Sequence, residues 1–145
     1  MPWMIALALL SCTAEKRSQF KEKQDQMGLG TAATAYWDAV RWNNISGATG
    51  YIETPEQRLA LGKQLSEPLV RITETTVLQV EVGDELDAAR LPERREGIAR
   101  IRVEAFDVRS RKVEVVTVEQ HWVKKKPNSW FVDGEQSPVG TQRPW

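Results

Sequence analysis

Few residues in this chain are suited to proton transfer or metal binding, because its 145 residues include one His and one Cys. His121 and Glu119 lie two residues apart in a segment rich in Val and Thr, so on a strand their side chains would share one face. A His beside a carboxylate suits general acid or base chemistry near neutral pH. The alternative interpretation is a surface or rim residue, because Lys124 and Lys125 follow closely.

Residue counts and missing motifs exclude several other classes of site. One Cys forms no internal disulfide, and one Cys with one His is too few for a zinc site, so no metal is predicted. The sequence has no Gly-rich phosphate loop and no nucleophile elbow, and no cofactor is predicted. Lys plus Arg equals Asp plus Glu at 20 each, so the chain lacks the basic field of a nucleic-acid binder.

The position of Cys12 indicates a covalent modification. Cys12 follows the apolar residues 3–10 and the small residue Ser11. The sequence Leu9-Leu10-Ser11-Cys12 resembles the signal of bacterial lipoproteins, in which the Cys is lipidated and becomes N-terminal after cleavage. The resemblance implies a signal peptide over residues 1–11 and a membrane anchor on Cys12 in the bacterial envelope. Thr13 after the Cys favours the outer membrane, facing the periplasm.

The leader departs from such signals in one respect. It carries no Lys or Arg and is shorter than the roughly 15 to 30 residues of a secretory signal, so we expect an N-terminal extension in the reading frame. The alternative is that residues 3–10 form a buried element and Cys12 is an ordinary core thiol. The run is far below the roughly 20 residues that a spanning helix needs.

Residues 12–30 are predicted to be a tether. They are mostly charged or amide side chains and contain too little apolar surface to fold alone, and Gly28 and Gly30 are predicted to end the segment. The alternative is a partner-binding segment in which Phe20 is the anchor.

Two helices are predicted next. Over residues 31–45, with Thr31 as the N-cap, apolar and aromatic residues recur at spacings of three and four, which is typical of a core stripe. Its aromatic residues would alternatively form a platform for a sugar or aromatic ligand. The second helix starts at a capping box, Thr54-Pro55-Glu56-Gln57, and stops before Pro68.

Four antiparallel strands follow in the prediction. The first covers residues 69–82, with Thr76, Leu78 and Val80 on one parity, and a charged connection over residues 85–96 is either solvated or grips an anion through its Arg residues. Residues 98–133 then form a three-stranded meander, and Lys112 to Val123 should be central and covered on both faces. Residues 135–145 should be an irregular tail. Helices before an antiparallel sheet define an α+β domain over residues 31–134.

This order resembles the nuclear-transport-factor-two-like superfamily, which includes ketosteroid isomerases and SnoaL-like proteins. The resemblance is carried by AYWDAVRWNN in the first helix, by the short capped second helix and by the closing QHWVKKKPNSWFVDG, and it covers about residues 31–134. It implies N-terminal helices packed on a curved antiparallel sheet of about four strands, with a cone-shaped pocket. A cystatin-like domain is the neighbouring alternative.

The resemblance also implies where a site would be. The pocket candidates are Tyr36, Trp37, Trp122 and Trp130, and the candidates for acid-base chemistry are His121, Asp38 and Tyr36. Members of the superfamily often pair through the open face of the sheet, so a homodimer is a further expectation.

Two functional classes remain at this point. The favoured prediction is a lipid-anchored, non-catalytic envelope protein that binds a protein partner or a small apolar ligand. The alternative is a small periplasmic enzyme of the isomerase or dehydratase kind that uses His121 or Asp38.

Overall fold

Helices precede strands throughout the part of the chain that the structure describes. The computed structural model describes residues 3–66, 69–83, 95–126 and 129–137, with the backbone alone for 3–14, 18 and 126. The elements are α1 (Trp3–Arg41), α2 (Ile45–Thr49), α3 (Pro55–Ser66), β1 (Val70–Val82), β2 (Arg95–Asp107), β3 (Lys112–Lys126) and β4 (Ser129–Val132). The strands form one antiparallel sheet in the order β1-β2-β3-β4. The predicted α+β class with about four strands is confirmed.

The first helix is much longer than predicted. It runs without a break through Gly28 and Gly30, so the prediction that a helix starts at Thr31 is wrong. The Thr31 hydroxyl instead donates to the carbonyl of Met27, one turn earlier, at 2.9 Å. A helical Gly costs only about 1 kcal/mol relative to Ala, and packing can outweigh that cost. Leu29, between the two glycines, is fully buried, so contacts with the sheet keep this segment helical.

Short polar motifs separate the helices. Asn43 has a positive φ of 53° after the end of α1, and the Asn44 side chain then caps α2 by accepting from the backbone N–H of Gly47 at 3.1 Å. The predicted start of α3 is confirmed, with the Thr54 hydroxyl accepting from the N–H of Gln57 at 3.4 Å. The Gln57 side chain donates to the carbonyl of Gly134 at 3.1 Å, which ties α3 to the end of the sheet.

The predicted meander is also confirmed. β2 and β3 pair without a register shift, and Asp107 and Lys112 form the last pair before the turn. The Asp107 carboxylate accepts from the N–H groups of Arg109 and Ser110 at 2.8 and 3.1 Å, and Arg111 has a φ of 57°. An Asx turn followed by a left-handed residue is a well-populated way to close a hairpin.

Two details of the strand predictions are wrong. Register shifts in β1 after Ile72 and after Val77 change which side chains face the helices, so Leu78 is 54% exposed although one parity was predicted throughout. β3 is central in the sheet, but it is not covered on both faces over its whole length, because Val113 and Val115 are exposed.

Two predicted segments lie outside the described residues. They are residues 84–94, with Arg90 and Arg94 of the predicted connection, and residues 138–145 of the predicted tail.

The core lies between α1 and one face of the sheet. Alternate residues of β2 from Arg95 to Ala105 are buried, and α1 contributes residues at helical spacing. The outer side of β4 meets the segment between α2 and α3, where the N–H of Val132 donates to the carbonyl of Tyr51 at 2.9 Å. Gly97 allows the side chains of Leu29 and Trp130 to approach the backbone of β2 closely, since a Cβ there would lie 3.2 Å from Trp130 and also against Leu29. The principal buried apolar residues are Leu29, Ala33, Tyr36, Trp37, Val40, Ile52, Ile101, Val103, Trp122 and Trp130.

We expect Gly30→Ala to stabilise the protein by about 0.5 to 1 kcal/mol, because the new Cβ has room and alanine favours a continuous helix. The matched change Gly97→Ala should destabilise it, because that Cβ meets Trp130 and Leu29. Urea unfolding of both variants measures the difference. Loss of stability in Gly30→Ala would contradict a helix that continues through this position.

Candidate functional site

Four aromatic rings form a cluster inside the core. Tyr36 on α1 makes edge-to-face contacts with Trp37, Tyr51 and Trp122, at ring-centroid distances of 5.5, 6.2 and 5.8 Å. Tyr51 also contacts Trp122 at 5.9 Å. Such T-shaped pairs add about 0.5 to 1.5 kcal/mol each beyond the burial of their surface. The cluster therefore joins α1, the segment after α2 and the central strand β3.

A buried amide lies beside these rings. The Nε1 groups of Trp37 and Trp122 each donate to the Gln120 side-chain oxygen at 3.1 Å, and Gln120 is only 4% exposed. Burial raises the pKa of Tyr36 to about 12, and a hydrogen bond with the Gln120 side chain offsets part of that rise. Tyr36 is therefore a neutral phenol at physiological pH. Gln120 was not singled out from the sequence, although it shares parity with Val118 and Trp122 on an inward-facing stretch.

The predicted pocket residues are all buried, and three of them lie together. Tyr36, Trp37 and Trp122 contact one another or share Gln120, as described above. Trp130 lies further along the sheet, where its ring edge would be 3.3 Å from a Cβ on Gly28. These aromatic side chains occupy the space between α1 and the sheet and pack against protein atoms.

The predicted acid-base residues are not brought to one place. Nε2 of His121 lies 3.7 Å from a Glu119 carboxylate oxygen, and both side chains are on the sheet face opposite Gln120 and Trp122. Asp38 is exposed on α1, whereas Tyr36 is buried in the core. A shared site would need His121 and Tyr36 on the same side of the sheet.

A buried ion cluster was not predicted from the sequence. Asp25 on α1 accepts from Arg95 of β2 at 2.5 Å and from Lys124 of β3 at 2.6 Å, with one carboxylate oxygen for each cation. The Asp25 side chain is 5% exposed, and those of Arg95 and Lys124 are 11% and 14% exposed. Arg95 and Lys124 are directly opposite each other in the sheet, and Arg95 Nε also donates to the carbonyl of Gly83 at 2.9 Å.

The cluster determines the charge state of Asp25. Burial alone would raise the pKa of this carboxyl, but hydrogen bonds and charge from Lys124 and Arg95 outweigh it, so the pKa lies below its ordinary value of 3.8. The spacing of residues in the sequence is consistent with this buried position of Asp25. Asp25 lies four and eight residues before Leu29 and Ala33 on the apolar stripe of α1, and Arg95 has the parity of the buried β2 residues.

The described residues offer neither a cluster of metal ligands nor a membrane-spanning helix. No three His, Cys, Asp or Glu side chains of the described residues are grouped as a metal ion would need. No helix within the described part of the chain is long and apolar enough to cross a membrane.

Asp25→Asn should destabilise the protein by about 3 to 5 kcal/mol at pH 7, because it leaves two nearly buried cations without their anion. Asp38→Asn, an exposed change on the same helix, is the matched control and should have little effect. Urea unfolding at several pH values tests the assignment. Since the pKa of Asp25 is lowered on folding, its contribution is complete above pH 3.8 and is lost as pH falls further, so the difference between wild type and Asp25→Asn should shrink there.

Gln120→Leu should cost about 2 to 5 kcal/mol, because the buried indole N–H groups of Trp37 and Trp122 lose their acceptor. Gln26→Leu, on the exposed side of α1, is the control. Thermal unfolding followed by tryptophan fluorescence measures the stability of both variants. Equal stability of the two variants would mean that Gln120 is not the acceptor.

Neither a protein-family model nor a curated protein nor a solved structure matches this chain. The resemblance to nuclear-transport-factor-two-like domains and to lipoprotein signals therefore stays a prediction, and function is inferred from the residues and their geometry.

Proposed function

We propose that this protein is a non-catalytic binding or interaction module of the bacterial cell envelope, held at a membrane by lipidation of Cys12. The observation that carries the non-catalytic part is the state of the interior. Three of the four aromatic residues that would line a pocket contact one another or share Gln120, and the side-chain oxygen of Gln120 accepts from two indole groups. These contacts favour interaction through the outer surface over chemistry inside the domain.

The course of α1 supports the anchoring part. Cys12 and Asp25 belong to the same helix, and their separation of 13 positions corresponds to about 20 Å along its axis. Residues 15–17 and 19–24 are exposed, whereas Asp25 and Leu29 are buried against the sheet. We call residues 13–24 the stem. A helical stem would hold the folded domain at a defined distance from acyl chains on Cys12.

The enzyme alternative rests on the proximity of His121 and Glu119, at 3.7 Å. It has less support than the binding module, because the two side chains lie on a sheet face away from Tyr36 and the other pocket candidates.

The test is the mass of the mature N-terminal peptide from membranes of the native host, compared with a Cys12→Ser variant. We expect wild type to begin at Cys12 with a diacylglyceryl group, to incorporate labelled palmitate and to fractionate with the outer membrane. Cys12→Ser should retain residues 1–11 and lose the label. An unmodified, uncleaved wild-type N-terminus in the soluble fraction would overturn the proposal.

A further inference from the structure

One face of α1, from the stem to Met27, combines exposed apolar and basic side chains. Lys16, Phe20, Lys23 and Met27 are separated by four, three and four residues, so they form a continuous line along α1. All four are exposed, with Phe20 at 64% and Met27 at 73%. Arg17 flanks the line and is also exposed. We call these five residues the basic stripe.

Acidic residues of the same segment lie elsewhere around the helix. Successive residues are about 100° apart, which places Glu15 and Glu22 more than about 130° from Phe20. Asp25 is directed to the sheet, where Arg95 and Lys124 hold it. The basic stripe therefore has three cations and no acidic residue, although the whole chain has no net charge. This separation would not be expected of a stem that is only a solvated spacer.

The orientation of the stripe is set by the folded domain. Asp25 and Leu29 face the sheet, and both Phe20 and Met27 lie on the opposite side of α1. Because the helix is continuous from the stem to Arg41, the ion cluster that holds Asp25 also fixes the direction in which the stripe points. The stripe is consequently available to a flat surface that approaches α1 from the side away from the sheet.

We propose that the basic stripe binds the surface of an anionic phospholipid bilayer. Lys and Arg side chains near such a surface are attracted to its negative potential, and an exposed Phe between them inserts at the boundary of headgroups and acyl chains. The positive charge of the stripe complements an anionic surface. The two large apolar side chains beside the cations can enter the headgroup boundary of a bilayer, which favours a bilayer over a soluble partner. The proposal deepens the proposed function, on which it rests for the location of Cys12 one turn before Lys16.

The contact would change the arrangement of the domain at the membrane. A stem that stands upright would separate Asp25 from the anchor by about 20 Å, whereas a stem whose stripe lies on the bilayer brings the side of α1 to the headgroups. The sheet, on the other side of α1, would then face away from the membrane. The basic stripe would add an electrostatic attraction to the hold that the acyl chains on Cys12 provide.

The experiment uses the full chain with Cys12→Ser, so that lipidation does not contribute. Purified protein is sedimented with vesicles of phosphatidylcholine alone or with about 30 mol % phosphatidylglycerol. The test variant Lys16→Gln/Lys23→Gln is compared with Lys63→Gln/Lys112→Gln, which removes two exposed lysines outside the stem. Phe20→Ser is compared with Leu59→Ser, a 77% exposed residue of α3. All variants retain residues 1–11, so any contribution from that segment is the same in each.

We expect Lys16→Gln/Lys23→Gln to bind the anionic vesicles about 25-fold more weakly than its control, at roughly fivefold for each lysine. Phe20→Ser should weaken binding about tenfold relative to Leu59→Ser. Binding should also fall steeply in about 0.5 M salt. Equal binding of each variant and its control, or equal binding to both vesicle types, would overturn the proposal, and a soluble acidic partner would become the favoured occupant.

The result separates this proposal from the proposed function. If Cys12 is lipidated in the native host but vesicle binding does not depend on the stripe, the lipid anchor is supported and the stripe contact is contradicted. If the Cys12→Ser protein binds vesicles through the stripe but the native N-terminus is unmodified, the bilayer contact is supported and the lipid anchor is contradicted.

Discussion

The fold depends on how α1 is attached to the sheet, and the Asp25 carboxylate is the most constrained part of that attachment. Taking a carboxylate out of water costs several kcal/mol, and here that cost is met only because Arg95 and Lys124 each bind one of its oxygens. The two cations come from adjacent strands, so the cluster forms only when β2 and β3 are paired in the observed register. The position of α1 is thereby coupled to the register of β2 and β3. An apolar contact of similar size would not require that coupling.

Gln120 is a second buried polar group whose hydrogen bonds fix the position of α1 on the sheet. An amide buried among aromatic rings is tolerated when its hydrogen bonds are made, and here Trp37 and Trp122 supply donors from α1 and β3. Rotation of α1 by one residue would remove the Trp37 donor and leave the amide less satisfied. The Asp25 ion cluster and the Gln120 amide both join α1 to the sheet, and together they resist sliding of the helix along the sheet.

Local patterns predicted the strands and α3, but not the contacts that extend α1. The Val-rich alternation after Ile98 and the capping box at Thr54 are signals within a few residues of the elements they specify. The passage of α1 through Gly28 and Gly30 instead depends on packing against Trp130, about 100 residues away in sequence. The two register shifts of β1 likewise reflect its partner strand. The charged residues around Asp25 favour the prediction of a tether and mask the apolar spacing that Asp25 shares with Leu29 and Ala33.

The link between Tyr51 and Val132 has a consequence for self-association. In an open sheet, each edge strand offers unpaired backbone groups to other chains. The segment around Tyr51 covers part of the β4 edge, and Gln57 holds the turn that follows it at Gly134. Among the described strands, β1 is the other edge, and its two register shifts break the regular spacing that a foreign strand would need. Copies of this protein crowded together on a surface would therefore have little opportunity to join their sheets into fibrils.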